Sequence, residues 1–106
     1  MYQTRTTLET PNAGRYITRL CKHWGHKFAV DFDEQRGHID FGGSSCDLQA
    51  SDTALRVAVL APEAELEEME VVVAEHLQRF APRGEELQFI WERASAAESN
   101  GEQTVP

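Results

Sequence analysis

The chain has 106 residues, 41% of them hydrophobic, enough for one domain with one core and too few for two. Eighteen acidic residues against ten basic ones give a formal charge of −8, which counts against nucleic-acid backbones or anionic membranes as partners. The opening MYQTRTTLET lacks the apolar core of a signal peptide, and no run approaches the roughly 20 apolar residues of a membrane span, so the expected location is the cytoplasm.

Tyr2 to Leu8 is short, Thr-rich and β-branched, which predicts a strand. Thr10-Pro11 then offers a side-chain cap followed by proline at a first helical position. Ala13, Tyr16, Ile17, Leu20, Cys21 and Trp24 follow at helical spacing, and Gly25 is placed to end this first helix in a left-handed cap. Phe28, Val30 and Phe32 alternate with Ala29, Asp31 and Asp33, and a polar turn leads into HIDF, where Ile39 and Phe41 share a face: a hairpin. After the Gly42 to Ser45 turn, Cys46, Leu48 and Ala50 alternate with polar residues, and Leu55, Val57, Val59 and Ala61 continue the pattern in a longer strand.

Pro62 opens an acidic helix with Leu66, Met69, Val73, Leu77 and Phe80 in one stripe. Leu87, Phe89 and Trp91 predict a last strand. From Arg93 onward no apolar period remains, so residues 93–106 are expected to be a disordered tail after a single domain over 1–92. The order β-α-β-β-β-β-α-β contains no parallel crossover repeat. It predicts an α+β two-layer sandwich, an antiparallel sheet with two helices on one face, similar in order to half of the TATA-binding-protein fold.

The stretch CKHWGHK, Cys21 to Lys27, concentrates the chemistry: both lysines of the chain and two of its four histidines. No acidic residue occurs from Pro11 through Ala29, so this segment is basic within an acidic protein. Arg15, Arg19 and His23 follow at four-residue steps, and Lys22, His26 and Lys27 cluster at the helix end. With Trp24 beside them, these groups suit a carboxylate, phosphate or catecholate, and a side-by-side helix pair adds His76 and Arg79. Arg19, Lys22, His23, His26, Lys27 and His76 are therefore the candidate ligand-binding residues.

Two other readings stand beside this one. Basic residues at a helix C-terminus are stabilising by themselves, and Arg15 and Arg19 can face Glu67, Glu70 or Glu75 on the acidic helix. A metal is the third possibility, since His23 and His26 are three apart. On one helix, however, Cys21 and His23 point roughly 160° apart, and the chain has no CxxC pair or HExxH. A metal-dependent enzyme would need His23, His26 and His76 or Cys46 to converge. Cys21 and Cys46 themselves suit free, buried thiols. No nucleotide loop or catalytic serine turn is present, and neither a cofactor nor an oligomeric state is indicated.

RYITRLCKHWGHK, FAVDFDEQRGHIDF and VVVAEHLQRFAPRGEELQFIW together resemble a bacterial family of unknown function, domain 2218, from about Tyr2 to Trp91. The most specific blocks are Leu20 to Lys27 and His76 to Ala81, and the polar Gly42 to Ser45 turn departs from the family pattern. The resemblance implies a role in handling ferric siderophore complexes, with a flavin-dependent siderophore-interacting protein as partner. It carries Lys22, His23, His26, Lys27 and His76 as residues of interest and implies no reaction. The alternative is a protein-interaction or self-associating domain without a small-molecule site.

Overall fold

A computed structural model describes residues 1–95. The elements run β1 (Tyr2–Glu9), α1 (Ala13–Trp24), β2 (Ala29–Phe32), β3 (Arg36–Asp40), β4 (Ser45–Ala50) and β5 (Ala54–Ala61). A single 3-10 turn (Glu63–Glu65), α2 (Leu66–Arg79) and β6 (Glu92–Ser95) complete them. The six strands form one sheet in the order β2-β3-β4-β5-β1-β6, every neighbouring pair antiparallel. This is the α+β arrangement that the alternation of apolar residues predicts.

Both helices cover one face of the sheet. Leu8, Ile39, Cys46, Leu48, Leu55, Val57, Val59 and Ala61 point up from the strands into a single core with Tyr16, Ile17, Leu20, Cys21 and Trp24 of α1 and Leu66, Val73 and Leu77 of α2. Because successive strand residues face opposite sides, the same register sends Arg5, Thr7, Arg36, His38, Asp47, Gln49 and Arg56 to the uncovered face. Helix α1 approaches β3 closely. A Cβ on Gly37 would lie 2.9 Å from Cys21 Sγ and 3.0 Å from Ile17 Cγ2, so only glycine fits beneath the helix at this point.

The termini of α1 differ from expectation. Its start is at Ala13, and the Thr10 hydroxyl accepts the Asn12 backbone N–H at 3.0 Å, forming a tight local turn instead of capping the helix. Gly25 has φ −62°, a right-handed conformation, because backbone bonds from Gly25 N–H to Cys21 and from Lys27 and Phe28 N–H to Trp24 carry the turn onward. Among the described residues the glycines at positive φ are Gly42 and Gly84, both in turns between elements.

The last strand is also displaced. Leu87 to Trp91 runs beside β1 without a ladder, because side chains supply its bonds: Leu87 N–H donates to Gln78 Oε1 at 2.9 Å and Ile90 N–H to Thr6 Oγ1 at 3.3 Å. Pairing begins at Glu92, opposite Arg5, and continues to Ser95, opposite Tyr2. Arg93 to Ser95 are therefore part of the sheet and not of a tail. The remainder of the expected tail lies outside the described residues.

Candidate functional site

Both helices end at the same place, and their last turns supply the candidate residues. Lys22 and His23 close α1, and His76 and Arg79 close α2. The rings of His23 and His76 lie 4.9 Å apart. His76 also rests against the buried Trp24 at 4.6 Å, while His23 meets Phe80 at 5.8 Å. Beneath them Trp24 packs edge-on against Phe41, which packs against Phe28. The outcome is a ledge with an aromatic floor and a rim of nitrogen bases.

His76 has a defined orientation, since its Nδ1–H donates to the Val72 carbonyl one turn back at 2.7 Å and its Nε2 is left for another partner. His23, exposed at the helix end, has its pKa pushed below the ordinary 6.5, first by desolvation against its neighbours and then by His76, Arg79, His26 and Lys27. Basic groups from both helix ends thus neighbour this ring. Two helix C-termini bring partial negative charge to this point, which partly accounts for the basic residues. Beside desolvation, the neighbouring cations disfavour a further proton on His23.

The other expected residues are placed less centrally. Arg19 stands one turn before His23 on an exposed row and Lys22 is exposed on the last turn, and neither is among the groups that act on His23. His26 and Lys27 lie in the turn after α1 and do act on it. The pairing of Arg15 and Arg19 with glutamates of α2 is not formed. Among the described residues the ion pairs are His38 with Asp47 and Arg93 with Glu70, so none of the ledge cations has a carboxylate within 4.0 Å. Glu70 is turned inward, where it accepts the Thr4 hydroxyl at 2.6 Å and two Arg93 N–H groups at 2.6 and 2.8 Å.

The described residues do not bring His23, His26, His76 and Cys46 together as one metal set. Cys21 and Cys46 are fully buried in the core, with burial raising the Cys21 thiol to about 11 and Cys46 higher still. Both are free thiols. Among the described residues no three His, Cys, Asp or Glu side chains come together as a metal set. Arg79, expected to join the cluster with His76, belongs to the ledge, and so do Phe41 and Phe80, which were not among the candidates. Arg79 stands three residues after His76, a spacing that puts both on one helix face, whereas Phe41 and Phe80 are brought in only by tertiary packing.

The model of a bacterial family, described as an uncharacterized protein conserved in bacteria (DUF2218), matches residues 5–92. The NMR structure of PA4090 from Pseudomonas aeruginosa is similar to this chain, with 44% identity and a TM-score of 0.74. The similarity covers 87% of this chain and 96% of that one. No functionally curated protein matches the chain.

Proposed function

The chain belongs to the uncharacterized bacterial family DUF2218, and on that premise we propose that it is a small binding protein holding an anionic ligand over the joined ends of α1 and α2. The observation that supports this reading is the convergence of His23, His76 and Arg79 from two helices with His26 and Lys27 from the turn after α1, with no carboxylate within 4.0 Å of any of them among the described residues. An oxyanion there receives charge-assisted hydrogen bonds from the rim, and a flat organic ligand gains contact with the His76 ring, which rests on the buried Trp24. A ferric catecholate combines both properties. It agrees with the role in siderophore handling suggested by the family resemblance, with a flavin-dependent siderophore-interacting protein as the partner that reduces or releases the iron.

The ledge residues are exposed or half-buried, so their loss changes binding more than folding. Replacing Lys22, His23 and Lys27 together by alanine is expected to weaken binding of a ferric catecholate by about tenfold or more, with the thermal unfolding midpoint nearly unchanged. Unaltered affinity in that variant rules out the ledge. A fall in unfolding midpoint or a change of molecular mass in light scattering, with no ligand bound by the parent, favours the interaction-domain alternative.

A further inference from the structure

The uncovered face of the sheet encloses a groove of about 990 Å³, on the side of the molecule away from both helices. Ladder register sets its floor. In one row across the strands His38 stands opposite Asp47, Asp47 opposite Ala58 and Ala58 opposite Arg5. In the adjacent row Arg36 stands opposite Gln49, Gln49 opposite Arg56 and Arg56 opposite Thr7. Arg36 and Arg56 thus flank Gln49, and Arg5 is the diagonal neighbour of Arg56, a spacing of ~7–8 Å that long side chains bridge. Ala58 is the smallest side chain in the first row and leaves open space among the guanidinium groups.

Charge in the groove is not balanced pair by pair. Asp47 is engaged by His38, whose Nδ1 lies 2.7 Å from its Oδ1. Asp33 accepts the backbone N–H groups of Gln35 at 2.7 Å and Arg36 at 3.0 Å, closing the hairpin turn. Asp31 and Glu92 close the two ends of the first row, Asp31 on β2 opposite His38 and Glu92 on β6 opposite Arg5. Arg5, Arg36 and Arg56 take part in no ion pair among the described residues. The groove is lined by three guanidinium groups and four carboxylates, of which Asp33 is engaged by backbone N–H groups and Asp47 by His38, so the arginines offer unpaired donors to a ligand without making the groove net positive. Guanidinium forks match the geometry of carboxylate and phosphate oxygens, and the His38 ring, fixed through Nδ1 by Asp47, keeps Nε2 for a ligand atom.

We propose that this groove is a second binding site, for a small organic anion bearing carboxylate or phosphate groups, gripped by Arg5, Arg36 and Arg56 over Ala58 with His38 at its side. The site is independent of the ledge at the helix ends, because the sheet and the core separate the two. Its occupant is a small molecule: the groove falls at the upper end of the size range of small-molecule pockets, and the three arginines lie within the width of four adjacent strands, β3 to β1.

Residue-resolved NMR of the full chain, observing backbone amides, arginine Nε–H and imidazole signals, tests the proposal with citrate and inorganic phosphate titrated separately against sodium chloride of equal ionic strength. Saturable shifts of Arg5, Arg36, Arg56 and His38 are expected with citrate, phosphate or both, the responding probe identifying the oxyanion class. Arg56→Gln is expected to weaken that response by about tenfold, and Ala58→Leu, which fills the floor, to abolish it. His23→Ala leaves it unchanged, so failure of the ledge and failure of the groove are read from different signals. Shifts matched by sodium chloride, or a response indifferent to both Arg56→Gln and Ala58→Leu, overturn the proposal.

Discussion

Glu70 illustrates how one side chain joins three elements. It lies on α2, 7% exposed, and receives the Thr4 hydroxyl from β1 and the Arg93 guanidinium from β6. Replacing it by alanine leaves the buried Thr4 hydroxyl without an acceptor, and a loss of about 2 kcal/mol at neutral pH is expected in urea unfolding. Arg93 and, less strongly, Thr4 hold the Glu70 carboxyl below its ordinary 4.5. Its contribution is therefore complete above that pH and fades as pH falls through the lower folded-state value, so parent and Glu70→Ala converge in strong acid. Gly37 sets a second residue-scale constraint. A Cβ there meets Cys21 Sγ and Ile17 Cγ2, so Gly37→Ala is expected to cost about 1–3 kcal/mol by overpacking. Combining it with Cys21→Ala, which removes one of the two clashing atoms, is expected to cost less than the sum of the single changes, a coupling that a double-mutant cycle measures.

The elements were legible where the pattern is local. Alternation in Leu55, Val57, Val59 and Ala61 and the helical stripe from Ala13 to Trp24 correspond to β5 and α1 with their buried faces as expected. What failed were segments whose bonding is decided elsewhere in the chain. Leu87, Phe89 and Trp91 alternate like a strand, yet Gln78 takes the Leu87 N–H and Thr6 the Ile90 N–H, and the ladder forms instead at ERAS, which has no apolar period and brings Arg93 to Glu70. The buried position of Glu70 was equally invisible, since within an acidic helix nothing marks which glutamate turns inward. A chain ending at Trp91 is accordingly expected to be less stable than Glu70→Ala, because it loses both the ion pair and the β6 ladder. Urea unfolding of the two variants side by side checks this order.

For the molecule as a whole, the two-layer design separates two surfaces. The helix layer presents a basic ledge where both helices end, and the bare sheet presents a groove with arginines at its centre. The ledge was partly legible: the acid-free stretch from Pro11 to Ala29 and the spacing of His76 and Arg79 mark its cations, and the contact between the two helix ends is what joins them. The sheet groove was not legible, because its residues are spread over β1, β3, β4 and β5 and meet only through ladder register. The proposed ledge has a consequence for proton binding. His23 has a pKa below the ordinary 6.5 because desolvation and neighbouring cations disfavour its charged form, so as pH falls the unfolded chain takes up this proton first and the fold loses stability. A bound oxyanion reverses that balance, and by linkage its affinity increases as the solution is acidified through this range. The most direct measurement is the imidazole titration of His23 and His76 by NMR, with and without a saturating ferric catecholate analogue carrying a diamagnetic metal. An upward shift of the His23 midpoint on binding is predicted, together with tighter binding at lower pH. A His23 midpoint that does not move with the ligand present contradicts the ledge as the binding site.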